Sequence, residues 1–111
     1  MQIHIDWSKP ILRQDDALRF RPSDLNNFYA EADGFDKTNL FFVLLASFHH
    51  YMDGGDTERA ARLSFLLAYY LFVPLTPPGS QALARHYIQQ AVSLHPPEEY
   101  EAWRVLMERG N

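Results

Sequence analysis

At 111 residues the chain has room for one domain and not for two. A hydrophobic share of 47% and an aromatic share of 14% supply enough large side chains for a packed core, which excludes wholesale disorder. The net charge is -4, and basic residues stand singly at Arg13, Arg19, Arg21, Arg59, Arg62 and Arg85; without a concentrated positive surface, nucleic acid is excluded as a general partner. There is no cysteine, hence no disulfide, thiolate zinc site or cysteine nucleophile, a composition that fits a reducing compartment. The longest apolar runs, residues 40–48 and 65–75, fall short of the roughly 20 residues a bilayer span needs. The N-terminus lacks the apolar stretch of a signal peptide. The expectation is a soluble, cytoplasmic protein with no membrane segment.

Residues 1–22 read as an irregular arm. Residues 2–7 alternate polar and apolar side chains, which suits a short extended segment, and a short helix fits between Pro10 and Leu18. Residues 23–111 read as a single helical domain. Ser23 is placed to cap a first helix with Leu25, Phe28, Tyr29 and Ala32 at helical spacing, stopped by Gly34. A cap near Asp36 or Thr38 opens a second helix, nearly continuously apolar over 40–48 and so expected to be buried on most sides, ending at Gly54 and Gly55. Asp56 opens a third, with Ala60, Ala61, Leu63, Leu67, Ala68, Leu71 and Phe72 as its apolar positions and Pro74 as its stop. Ser80 or Thr76 caps a fourth, carrying Leu83, Tyr87, Ile88, Ala91 and Leu94. Pro96 or Pro97 begins a fifth, with Glu98 and Glu99 in its first turn, Trp103, Leu106 and Met107 facing inward and Gly110 beyond its end. Connections this short place sequence neighbours antiparallel.

Two of these helices share a pattern of small, bulky and small residues: Ala61, Phe65 and Ala68 in one, Ala84, Ile88 and Ala91 in the other, the latter followed by Pro96. Small residues at the ends let a neighbouring helix come close while the bulky one fills the space between. The segment from Leu83 to Pro96 resembles the second helix and closing proline of a tetratricopeptide repeat, and Tyr100 to Trp103 resembles the start of the next repeat. Leu45, Phe48 and Met52 fit a first helix paired with Ala61 to Ala68. The two signatures lie 23 residues apart, against about 34 for full repeats, and His49 stands where the family has glycine. The fold class is thus all-α, made of short antiparallel hairpins, either repeat-like with a helix missing or an irregular bundle.

His49, His50 and Asp53 are the most conspicuous polar group, since residues three and four apart share a helix face. A metal needs a further ligand, and His4, His86, His95 and Asp56 show no motif spacing. The more economical reading packs one histidine in the core and sets the other at the helix end, where the dipole favours it. Residues 53–56 read as a turn and N-cap, not a calcium loop, because the regularly spaced oxygen ligands are missing. Ser47 and Ser64 have no neighbours that would make them nucleophiles, and Asp15, Asp16, Glu31 and Asp33 read as solvated charge. No catalytic residue, metal site or cofactor is implied, and no enzymatic activity is expected.

The aromatics exceed what one face of a small bundle easily hides. Phe41, Phe42, Tyr69, Tyr70, Tyr87, Tyr100 and Trp103 form the candidate partner-binding groove, since aromatics give large contact area at small entropy cost. The expected function is a protein-protein interaction module, an adaptor or chaperone holding an amphipathic segment of a partner in a helical groove. The resemblance here is to small bacterial secretion chaperones. The alternative is a small acidic inhibitor or immunity-type protein that blocks a toxin or enzyme, and a homodimer is a further way to fill the groove.

Overall fold

In the computed structural model, residues 5–95 and 98–110 are described. They run as α1 (Gln14–Arg19), α2 (Pro22–Glu31), α3 (Gly34–Asp53), α4 (Thr57–Tyr70), a π-helical turn (Leu71–Leu75), α5 (Ser80–Leu94) and α6 (Glu98–Arg109), with no strand among the described residues. The all-α class therefore holds. The expected extended segment over 2–7 and the helix-opening prolines, Pro96 and Pro97, fall partly or wholly outside the described residues.

The starts of the helices follow from local chemistry, though not always at the expected residue. α2 begins at Pro22, whose missing N–H is one that the first turn could not have satisfied. The Asp24 carboxylate accepts the Arg21 N–H at 2.9 Å, so Ser23 is not the cap. Gly34 does not stop a helix; it opens α3, because Asp33 immediately before it accepts the Asp36 N–H at 2.8 Å and fixes the entry. Asp56 caps α4 as expected, accepting from the Arg59 N–H at 3.2 Å. Pro74 does not end α4 sharply. The chain widens into a π turn around the proline, closed by Thr76 N–H to the Leu71 carbonyl at 3.2 Å. α5 then starts after Gly79, which sits at φ +78, so neither Ser80 nor Thr76 is its cap.

α4 lies at the centre. Every residue from Leu63 to Phe72 is buried, because α3 covers one side, α5 the other, and α1 and α2 close the remainder. Residues 40–48 are buried on most sides, as expected, with Phe42 alone of them exposed; α3 is nonetheless an outer helix, with Leu40, Val43, Leu44, Ser47, Phe48 and Tyr51 facing inward. α6 packs on α5, and the antiparallel pairing brings Gly110, just past α6, beside Gln81 at the start of α5. The Cα radius of gyration is 12.9 Å, near the roughly 13 Å of a compact chain of this length.

The short helix expected between Pro10 and Leu18 forms within residues 5–22, and these described residues are not a bare irregular arm. They contain α1, and Leu12, Ala17 and Phe20 enter the same core as the rest. Polar contacts hold the segment as well. The Leu12 N–H donates to Ser47 Oγ at 2.9 Å, the Tyr51 hydroxyl donates to the Leu12 carbonyl, and Arg59 Nε donates to the Gln14 carbonyl at 2.9 Å.

The repeat-like signatures occupy α4 and α5, two consecutive helices packed on each other, and all six residues are buried. Their 23-residue spacing is one helix plus one connection. Small side chains at the contact bring the backbones close enough for the Ser64 hydroxyl on α4 to donate to the Tyr87 carbonyl on α5 at 2.6 Å.

Candidate functional site

The seven aromatics expected to line one groove are distributed by the fold to different places. Tyr69, Tyr70 and Tyr100 are buried. A tyrosine can be buried when its hydroxyl finds a partner: Tyr70 donates to the Lys37 carbonyl, and Tyr69 accepts from Asn26 Nδ2 at 2.8 Å. Burial pushes the Tyr70 and Tyr100 hydroxyls above the ordinary tyrosine range. Tyr87 and Trp103 are half-buried and face aromatic neighbours across helix boundaries, Phe48 at 6.1 Å and Tyr69 at 5.2 Å between ring centroids. Tyr100 stacks on Phe65 at 4.7 Å. These five rings hold helices together and present no common surface. Adjacent aromatics do point different ways, but in α4 both ways lead into the core, because α4 is covered on all sides.

Phe41 and Phe42 are different. They lie on the outer helix, their rings 5.2 Å apart; Phe41 is half-buried and Phe42 is 57% exposed. Along the same outward line of α3, Phe35 is 83% exposed, Asn39 and His49 are exposed, and Leu45 and Ala46 are partly covered. From residue 38 to residue 52 the helix contains no Asp, Glu, Lys or Arg. The outward face of a surface helix ordinarily carries charge; this one carries none for four turns.

Two shallow hollows lie along this face and share Asn39. One is bounded by Gly34, Phe35, Thr38 and Asn39. The other, about 550 Å³, lies between α3 and the N-terminal segment, with Trp7 and Pro10 on one side and Phe42, Val43, Ala46 and His49 on the other. Trp7 is there because Ser47 and Tyr51, one turn apart on the inward face, grip the backbone at Leu12; the Ser47 hydroxyl also donates to the Pro10 carbonyl at 3.4 Å. The sequence signal for this site was the absence of charge over 38–52 together with two buried hydroxyl residues in the middle of an apolar helix.

His49 and His50 are both exposed, so neither is the core histidine that the sequence suggested. The last turn of α3 is closed by the backbone, Gly54 N–H donating to the His50 carbonyl at 3.1 Å. Among the described residues no three His, Asp or Glu side chains stand close enough to hold a metal ion. A second notch gathers Arg19, Arg21 and Arg62 with Glu58 and Glu99. Arg62 acts there as a tie: its guanidinium donates to the Phe20 carbonyl at 2.8 Å, reaches Glu99 at 3.4 Å and lies over the Phe65 ring at 5.2 Å. Through these contacts Arg62, paired with Glu99, has a structural job in the notch.

No protein-family model, curated protein or solved structure matches the chain. Among the described residues no helix is long and apolar enough to cross a membrane.

Proposed function

We propose that this chain is a protein-interaction module that receives an amphipathic helical segment along the outward face of α3. The observation that carries the reading is the stretch 38–52 without formal charge on an outer helix, with Phe42 exposed on it and Phe35 exposed just before it. Exposed phenyl rings on an outer helix suit a contact site, and a helix laid along a groove uses anchors at the spacing shown by Phe35, Asn39, Phe42 and Ala46. This is the adaptor role expected from the sequence, moved to a different surface. α6 has exposed Val105 and Leu106, but Glu101, Arg104, Glu108 and Arg109 surround them, and Arg104 is tied to Glu108 at 2.7 Å. Those apolar side chains are isolated. The cysteine-free composition suits a role in the cytoplasm.

The test is capture from native extract with the wild-type chain and Phe42→Asp side by side, backed by circular dichroism showing equal helicity. A stoichiometric protein held by the wild type and lost with Phe42→Asp supports the reading. Equal capture by both would move the contact off α3.

A further inference from the structure

Resting on the reading that α3 presents a protein-binding face, we infer that the segment laid along it is a basic amphipathic helix, apolar through its middle and carrying Lys or Arg at both ends, about five turns apart.

The face has no formal charge in its middle and is acidic at its ends. Its outward line runs through Phe35, Asn39, Phe42, Ala46, His49 and Asp53, each three or four residues after the last. Asp53 closes that line. It is exposed and stands in the last turn of α3, where the helix dipole adds further negative potential. At the opposite end Glu31 and Asp33 are exposed and Asp36 is half-buried. Lys37 is turned away from the face, its ammonium over the Tyr29 ring of α2 at 4.3 Å. The other cations nearby have acidic neighbours of their own: Arg59 holds Asp56 at 2.9 Å, Arg13 shares a recess with Asp16, and Lys9 stands beside Asp6. Among the described residues Glu31, Asp33, Asp36 and Asp53 make no ion pair.

These charges discriminate between occupants. A helix that covers Phe35 and Phe42 and follows the line to its end passes over Asp53. Apolar side chains there would strip the carboxylate of water and return no counter-ion, whereas a lysine or arginine supplies one. Asp36 and Asp53 are 17 residues apart, about 25 Å along the axis, and the partner's basic residues stand about as far from each other. A charge in the middle of the partner would lose hydration against 38–52 with nothing to answer it. The net charge of -4 draws the same partner from a distance. A second copy of this chain is a poor occupant. It brings another -4; set antiparallel about a point between Phe42 and Ala46 it places Phe35 against Asp53, and set parallel it places Asp53 against Asp53.

Three synthetic helices test this, identical in an apolar face five turns long and matched for helicity by circular dichroism. They differ only at the two end positions, which carry lysine, glutamine or glutamate. Fluorescence anisotropy with the full chain should rank them in that order, lysine binding about tenfold tighter than glutamate. Raising salt from about 0.05 M to about 0.5 M should shrink the difference. Asp53→Lys should weaken the lysine helix and strengthen the glutamate one. Glu108→Lys on α6, the same change of net charge away from the face, should leave the ranking as it was. Phe42→Asp should weaken all three. Equal affinity for the three helices, still lost with Phe42→Asp, would overturn the basic partner and leave the binding face standing. A lysine preference that Asp53→Lys does not alter would overturn it too, by tracing the attraction to net charge alone. Self-association through Phe42 in sedimentation equilibrium, with no helix bound, would put a second copy on the face instead. No binding and no self-association would remove both the partner and the face.

Discussion

The Tyr51 hydroxyl donates to the carbonyl of Leu12, 39 residues earlier in the chain. Ser47, one turn before Tyr51, accepts the N–H of the same residue. Both polar groups of one backbone unit are thus satisfied by α3 side chains. A buried backbone unit outside a helix needs such partners, and Leu12 is buried. The inner face of α3 thereby fixes the N-terminal segment, and that segment sets Trp7 beside the outer face. The two faces of one helix are coupled through the backbone they hold.

Ser47→Ala should therefore cost more than an ordinary surface change. It leaves the Leu12 N–H buried without a partner, a loss of about 1–3 kcal/mol, visible as a lower midpoint in urea at unchanged slope. In a Trp103→Phe background the Trp7 fluorescence should become more accessible to acrylamide, and exchange of the Leu12 amide should accelerate. Unchanged protection at Leu12 would show that Ser47 does not hold the segment.

At the α4–α5 contact, the Ser64 bond to the Tyr87 carbonyl measures how closely two helices approach. Ser64→Ala should cost about 1 kcal/mol. Ala84→Leu puts three more carbons where Ala84 is fully buried and should cost about 1–3 kcal/mol by overpacking. Thermal unfolding followed at 222 nm reads both. If Ala84→Leu melts with the wild type, the close approach is not needed for stability.

The helices themselves were legible because their signals are local. Asp56 before α4 and the apolar positions of that helix are decided within a few residues. The identity of the outer helix was not legible, since a run such as residues 40–48 is equally compatible with a buried helix and with one that leaves a bare face outward. Burial is decided by which helix the others surround, and α4 won that place through its small residues Ala60, Ala61 and Ala68, which let neighbours approach on several sides. The same cause displaced the expected groove: Tyr69 and Tyr70 sit on the surrounded helix, and partners from α2 and α3 satisfy their hydroxyls. The short helix of the N-terminal segment was legible, but its attachment was not, because that depends on Ser47 and Tyr51, residues more than thirty positions away.

Thr76 is the one described non-glycine residue with positive φ, at 44, and it is exposed just after the π turn. A β-branched side chain is strained in the left-handed region, by about 1–2 kcal/mol for an ordinary L residue. Thr76→Gly should relieve this and, after the added freedom of the unfolded chain is set against it, leave a net gain of about 0.5–1 kcal/mol. A rise in melting temperature is the expected reading, and a fall would mean that Thr76 makes a stabilising contact that outweighs the strain.

Alkaline pH should unfold this protein through its tyrosines. Burial raises the hydroxyls of Tyr70, Tyr100 and Tyr51 above their ordinary value. In the unfolded chain these hydroxyls lose their protons near pH 10, while the folded chain retains them. The folded state then binds more protons than the unfolded one, so stability is full below about pH 10 and declines as pH rises past it. The slope approaches about 1.4 kcal/mol per pH unit for each tyrosine that stays protonated. Tyr70→Phe removes the most strongly shifted of the three, together with its bond to the Lys37 carbonyl. The variant should be less stable than the wild type by about 1 kcal/mol at pH 8, yet lose stability less steeply above pH 10, so that the two curves converge. Urea unfolding at a series of pH values decides the matter: parallel curves would mean that Tyr70 ionises as readily folded as unfolded.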